Sequence, residues 1–199
     1  MKPSKQGDLD GMCGLYSIVN SISILTKNKN LNTKAVLRIA VESLFEDKNK
    51  MKIIDGFEIG TLKDVLFRTK NKLLLDGVEI GMREGEKIDS YFPFYKSKFE
   101  PTRNEFIEYL KEHTNQKNKV AILGYAYSDG KNERYNHWTV VKNASDEGLN
   151  LFDSDKEKNK INWDEVLIIS NERKIYSHKS KPYLIRPRDL VILELLEEE

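Results

Sequence analysis

Cys13 is the one cysteine in a chain of 199 residues, and its surroundings suit a nucleophile. It follows a turn-rich stretch, Gly7-Asp8-Leu9-Asp10-Gly11. It opens a helical pattern in which Leu15, Ile18, Val19, Ile22 and Leu25 recur at spacings of three and four. A thiol at a helix N-terminus faces the positive end of the dipole, which favours the thiolate, and Gly14 beside it lets a substrate approach the backbone. The plain alternative is a small buried hydrophobe, common for a free cysteine. Against it, Asp8, Asp10 and Gly11 are not a core sequence.

A nucleophilic cysteine needs a base within hydrogen-bond reach, and three histidines are available. His113 ends a helical pattern and reads as a C-terminal charge or cap. His178, among Ser177, Lys179 and Ser180, reads as an exposed loop residue. His137 differs: it is expected to open a strand after a long polar loop, in Tyr135-Asn136-His137-Trp138-Thr139-Val140-Val141. A base in turn needs an orienting group on its other ring nitrogen. Asp153 follows the apolar strand Leu149–Phe152, and a short turn at Asp146–Gly148 would pair that strand antiparallel with the one carrying His137. Asp155 is the nearest competitor. Gln6, just upstream of Cys13, supplies an amide that can donate to a developing oxyanion beside the Cys13 N–H.

In this order, Gln6-Gly7, Cys13-Gly14, Asn136-His137 and Asp153 resemble the papain-like cysteine peptidases. The Asp closing the set, where papain has Asn, resembles the bacterial branches, among them the double-glycine peptidases of peptide exporters and effector proteases of related fold. The resemblance covers the motifs from Gln6 to Asp153 but not the sequence between them. The chain departs from the pattern at two points: Gln6 is one residue further from the cysteine, and Met12-Cys13-Gly14-Leu15-Tyr16 replaces Cys-Gly-Ser-Cys-Trp. A propeptide before Gln6 and linked exporter membrane domains are not expected.

The resemblance implies acyl transfer through a thioester. Cys13 attacks, His137 moves the proton, Asp153 orients His137, and Gln6 with the Cys13 N–H holds the oxyanion. Gly14 and Trp138 are expected at the substrate, with Tyr16 and Tyr125 as further lining. The loop Ser128–Asn136 would overhang the site. A protein or peptide is the implied substrate. The same triad also serves glutamine deamidation or transglutaminase-type transfer, and an inactive papain-like scaffold could act as a binding module.

The elements that must position these residues are helices first and strands after, which argues for an α+β class. Helices are expected at Met12–Leu25, from a Thr33 cap (with Val36, Leu37, Ala40, Val41, Leu44 and Phe45 inward), at Thr61–Lys70 and at about Thr102–His113. Short strands are expected at Leu73–Leu75 and Val78–Met82. Further strands are expected at Val120–Tyr127, His137–Lys142, Leu149–Phe152, Tyr183–Ile185 and Leu190–Leu195, with Trp163–Ile169 a helix or strand. One domain, 1–199, is expected, with a helical subregion at about 12–116 and a sheet subregion at about 119–195.

A net charge of +1, with acidic residues interleaved among the lysines, argues against nucleic acid. No apolar run is long enough for a membrane span and no secretory signal is visible. With a lone cysteine this suggests the cytoplasm, with export by a signal-less route as the alternative. No cofactor and no metal are expected, since neither a phosphate loop nor zinc spacing occurs. Glu84-Gly85-Glu86 reads as an exposed acidic turn. Abundant Lys, Asn and Ile suggest a low-GC microbial source.

Overall fold

The structure is a computed structural model that describes residues 12–28, 30–46, 57–128, 134–153, 159–169 and 181–197. Among the described residues the helices are α1 (Cys13–Thr26), α2 (Thr33–Phe45), α3 (Ile59–Asp76) and α4 (Arg103–Thr114). The strands are β1 (Glu86–Tyr91), β2 (Lys119–Ser128), β3 (Arg134–Ala144), β4 (Gly148–Phe152), β5 (Lys160–Asn162), β6 (Val166–Ile168) and β7 (Tyr183–Glu197). They form one sheet in the order β1-β7-β2-β3-β4-β5, antiparallel throughout, with β6 added parallel to the first part of β7. The class is α+β, with helices leading and an antiparallel sheet following.

The sheet is buried on both faces, so β2 reads as a continuous apolar run rather than an alternation. Val120 and Ile122 pack with Trp138 and Val140 against α1, α2 and α3. Ala121 and Leu123 face the other way, onto Phe106 and Leu110 of α4. The helical half of the sequence is therefore not one unit, because α4 crosses to the far face. Its start is fixed by a reciprocal capping box between Thr102 and Glu105.

Burial explains where α1 departs from the amphipathic stripe. Ser17, Ser21 and Ser23 are buried along with the apolar residues, since the helix is enclosed by α2, α3 and the sheet. Small side chains on the remaining faces let those neighbours come close. In α2 the cap is Asn32, not Thr33: its side-chain oxygen accepts the Ala35 N–H at 3.1 Å. Ile39 and Ser43 join the inward face, while Phe45 is exposed.

The strands expected at Leu73–Leu75 and Val78–Met82 do not form. Leu73 continues the inward series Leu62, Leu66, Thr69, so α3 runs on to Asp76 and leaves Leu74 and Leu75 in solvent. Two strands were not expected: β5, a three-residue strand, and β1, a polar edge strand. Gly85, at φ 80, makes the turn expected there. Glu86, however, is not part of an exposed turn: it starts β1, its side chain is 2% exposed, and its Oε2 accepts the Arg83 N–H at 2.9 Å. Trp163–Glu165 is a 3-10 turn, and the strand that follows it is β6. The two segments expected at 183–185 and 190–195 are one interrupted strand, β7.

Candidate active site

Cys13 is the first residue of α1, and α1 lies against β3. The first helical hydrogen bond runs from the Tyr16 N–H to the Met12 carbonyl at 3.1 Å. The N–H groups of Cys13, Gly14 and Leu15 therefore stand outside the helix's own ladder. Met12 gives no side-chain cap to them. Cys13 is only 5% exposed.

His137 does not open its strand. β2 and β3 form a long hairpin in which Ser128 pairs with Arg134 and His137 sits opposite Tyr125, three residues inside β3. Much of the loop expected over the site is thus strand; residues 129–133 at its tip lie outside the described residues. The strand position holds the imidazole on both sides. Its ring lies 5.4 Å from that of Tyr125, and its Nε2 is 2.8 Å from Asp153 Oδ1. Asp153 directly follows β4, and the pairing of Val140 with Phe152 brings it level with the His137 stretch. Nδ1 is the nitrogen that remains for Cys13, whose side chain is among the groups that raise the imidazole.

The electrostatics favour an imidazolium. Burial is the largest single influence and pulls His137 downward. Against it act the hydrogen bond to Asp153, then the Cys13 side chain, then the electrostatic influence of the same two groups, and together they raise the imidazole from 6.5 to about 10. The Asp153 side chain is 4% exposed, so the ion pair is shielded from bulk water.

A cavity of about 380 Å³ opens beside His137, with Phe57, Glu58, Tyr95, Tyr125 and Trp138 in its wall. Trp138 contributes to that wall but is a buried core residue whose indole N–H donates to the Phe57 carbonyl at 2.7 Å. Gly14 does not line the cavity. It lies beneath the Phe57 ring, whose Cγ would stand 3.0 Å from an added Cβ. Tyr16 is likewise absent from the wall, whereas Tyr125 is in it.

Gln6, Asp155 and His178 lie outside the described residues. His113 is not a helix-end cation. Burial first, then the Lys119 charge, hold it below 6.5. Its Nδ1 is 3.2 Å from the Tyr91 hydroxyl and its ring lies 4.2 Å from that of Tyr109. Among the cavity residues, sequence reasoning missed Phe57, Tyr95, Arg186, Arg188 and Asp189. For the last three a signal existed: Arg186-Pro187-Arg188-Asp189 interrupts an otherwise apolar strand.

No protein-family model and no curated protein matches the sequence. Among solved structures the chain is similar to the peptidase domain of Streptococcus ComA, a bi-functional ABC transporter involved in a quorum sensing pathway. The two are 13% identical, with 99% of this chain and 98% of that chain covered at a TM-score of 0.45. An overlap that loose transfers no residue roles. Among the described residues, no helix is long and apolar enough to cross a membrane.

Proposed function

We propose that the chain is a papain-like cysteine peptidase that cleaves a peptide or isopeptide bond through a thioester on Cys13. The observation that carries this reading is one imidazole held between two partners. A buried carboxylate sits 2.8 Å from Nε2, and the thiol at a helix N-terminus acts on the same ring, raising it further. That is the arrangement in which a base activates a nucleophile while a third group orients the base.

In the proposed reaction the Cys13 sulfur attacks the substrate carbonyl carbon, and the carbonyl electron pair moves onto oxygen. The N–H groups at the start of α1, outside the helix's own ladder, are placed to support that oxyanion; removing one such donor costs roughly 10²–10³ in rate. Collapse of the intermediate breaks the C–N bond, and the proton on His137 goes to the leaving amine. Water then attacks the thioester, gives its proton to His137 and releases the sulfur. Asp153 keeps its carboxylate against Nε2 throughout, so that the opposite nitrogen faces the sulfur.

The test is incubation with a peptide library and mass analysis, with Cys13→Ala as the blank. Fragment pairs that need Cys13 support a peptidase. A deamidation shift or an added amine, without fragments, moves the activity to glutamine chemistry on the same triad. A second reading is favoured by the burial of Cys13 at 5% exposure: a papain-like scaffold that binds rather than cuts. Intact peptides together with an unreactive thiol would select it.

A further inference from the structure

Cys13 and His137 stand on different elements, α1 and β3, and a reacting pair must be held to well under about 1 Å. Phe57 touches the sequence neighbour of each. Its carbonyl accepts the indole N–H of Trp138, the residue after His137, at 2.7 Å. Its ring lies over Gly14, the residue after Cys13: an added Cβ at that glycine would stand 3.0 Å from Phe57 Cγ and 3.2 Å from Cε2. Phe57 and Trp138 are both buried, so the hydrogen bond is shielded from water and the ring has little room to shift.

Both ends of this link are braced. The Trp138 ring is backed by Gly124 on β2, where an added Cβ would come within 3.0 Å of its Cη2 and Cζ3. Phe57 lies just before α3, whose first turn closes from the Leu62 N–H to the Glu58 carbonyl at 2.9 Å, and α3 is anchored by buried Leu62, Val65, Leu66 and Leu73. Resting on the reading of Cys13 and His137 as a reacting pair, we propose that Phe57 is a positioning residue that sets the separation of the thiol from the imidazole. Its main chain holds β3 beside His137, and its ring holds the first turn of α1 beside Cys13. The packing of α1 on β3 places the two elements as wholes, whereas this link acts on the residues next to the reacting ones. Glycine at 14 is what lets the ring seat against the helix backbone.

The experiment follows alkylation of Cys13 by iodoacetamide across pH, read by intact mass. Each profile is scaled to its own plateau, so that a more open thiol does not imitate a more ionised one. Phe57→Leu removes the ring and keeps the carbonyl. Trp138→Phe removes the indole N–H and keeps an aromatic ring. Phe106→Leu makes the same change as the first in the core on the far face of the sheet, and thermal melts show that each variant is folded. In the unsubstituted protein the midpoint should lie well below the ~8.5 of an ordinary thiol. Phe57→Leu and Trp138→Phe should each raise it by at least about one pH unit, a tenfold loss of preference for the thiolate. Phe106→Leu should lower the melting temperature and leave the midpoint where it was, which separates positioning from general loosening of the fold. A midpoint unmoved in both Phe57→Leu and Trp138→Phe, or moved as far by Phe106→Leu, would overturn the proposal and leave the pair standing. An ordinary midpoint in the unsubstituted protein would sink the pair and the proposal with it.

Discussion

Asp153→Asn, made in a Cys13→Ser background, should reverse the sign with which stability depends on pH between about 5 and 9. Serine is used because a titrating thiol would exchange protons with the solvent alongside the imidazole and blur the linkage. In the native site burial pulls His137 down. Asp153 and the Cys13 side chain, in that order, outweigh it and bring the imidazole to about 10. A rise from 6.5 to that value is worth roughly 5 kcal/mol of preference for the imidazolium, net of burial, with Asp153 the leading partner. With Asp153 present the folded value lies above 6.5, so the stabilisation is complete below 6.5 and is lost as pH rises through the folded value. The loss reaches about 1.4 kcal/mol per pH unit. With the amide in its place only burial remains. The folded value drops below 6.5, and stability is instead lost as pH falls. Urea unfolding across the pH range, with NMR titration of the His137 ring, reads both quantities. Other groups, His113 included, titrate alike in the two proteins and cancel in the difference. Parallel stability curves, or an imidazole titrating at the same pH in both, would refute the reasoning.

Gly14→Ala should lower the melting temperature and cost about 1–3 kcal/mol, because the new methyl overlaps the buried Phe57 ring. An unchanged melt would show that the ring yields freely. Trp138→Phe should cost about 1–3 kcal/mol in urea unfolding by leaving the Phe57 carbonyl without its 2.7 Å donor. His113→Gln should flatten the acid limb of stability. Burial, then Lys119, keep the native His113 below 6.5, so the unfolded chain takes up its proton first and the native state loses ground as pH falls. Urea midpoints measured from about pH 4.5 to 7 check this, and an acid limb as steep as before would contradict it.

The order Cys13, His137, Asp153 was legible because each residue terminates or interrupts a recognisable pattern. Cys13 precedes a strong helical stripe, and His137 and Asp153 bracket a hairpin whose turn is plain in Asp146–Gly148. The entry of His137 into β3 was not legible, since the polar residues before it read as loop while their backbone pairs with β2. Local composition misled again at Leu73–Leu75, where an apolar triplet imitates a strand although only Leu73 faces inward on α3. β1 was hidden for the opposite reason. An edge strand shows few apolar residues, and the burial of Glu86 depends on tertiary contacts that no local window contains. The cavity wall needed residues far apart in sequence: Phe57 and Tyr95 from the first half, and Arg186 to Asp189 from a bulge that exists only once β7 is paired with β2.

The central claim is that Cys13 and His137 work as a pair, and the rate of Cys13 alkylation by iodoacetamide across pH tests it most directly. Intact mass would be followed for the unsubstituted protein and for His137→Ala. An ordinary thiol reacts in step with a value near ~8.5. The account predicts fast alkylation that persists well below neutral pH and disappears in His137→Ala. Alkylation that is slow below pH ~8.5 and unchanged by His137→Ala would contradict it.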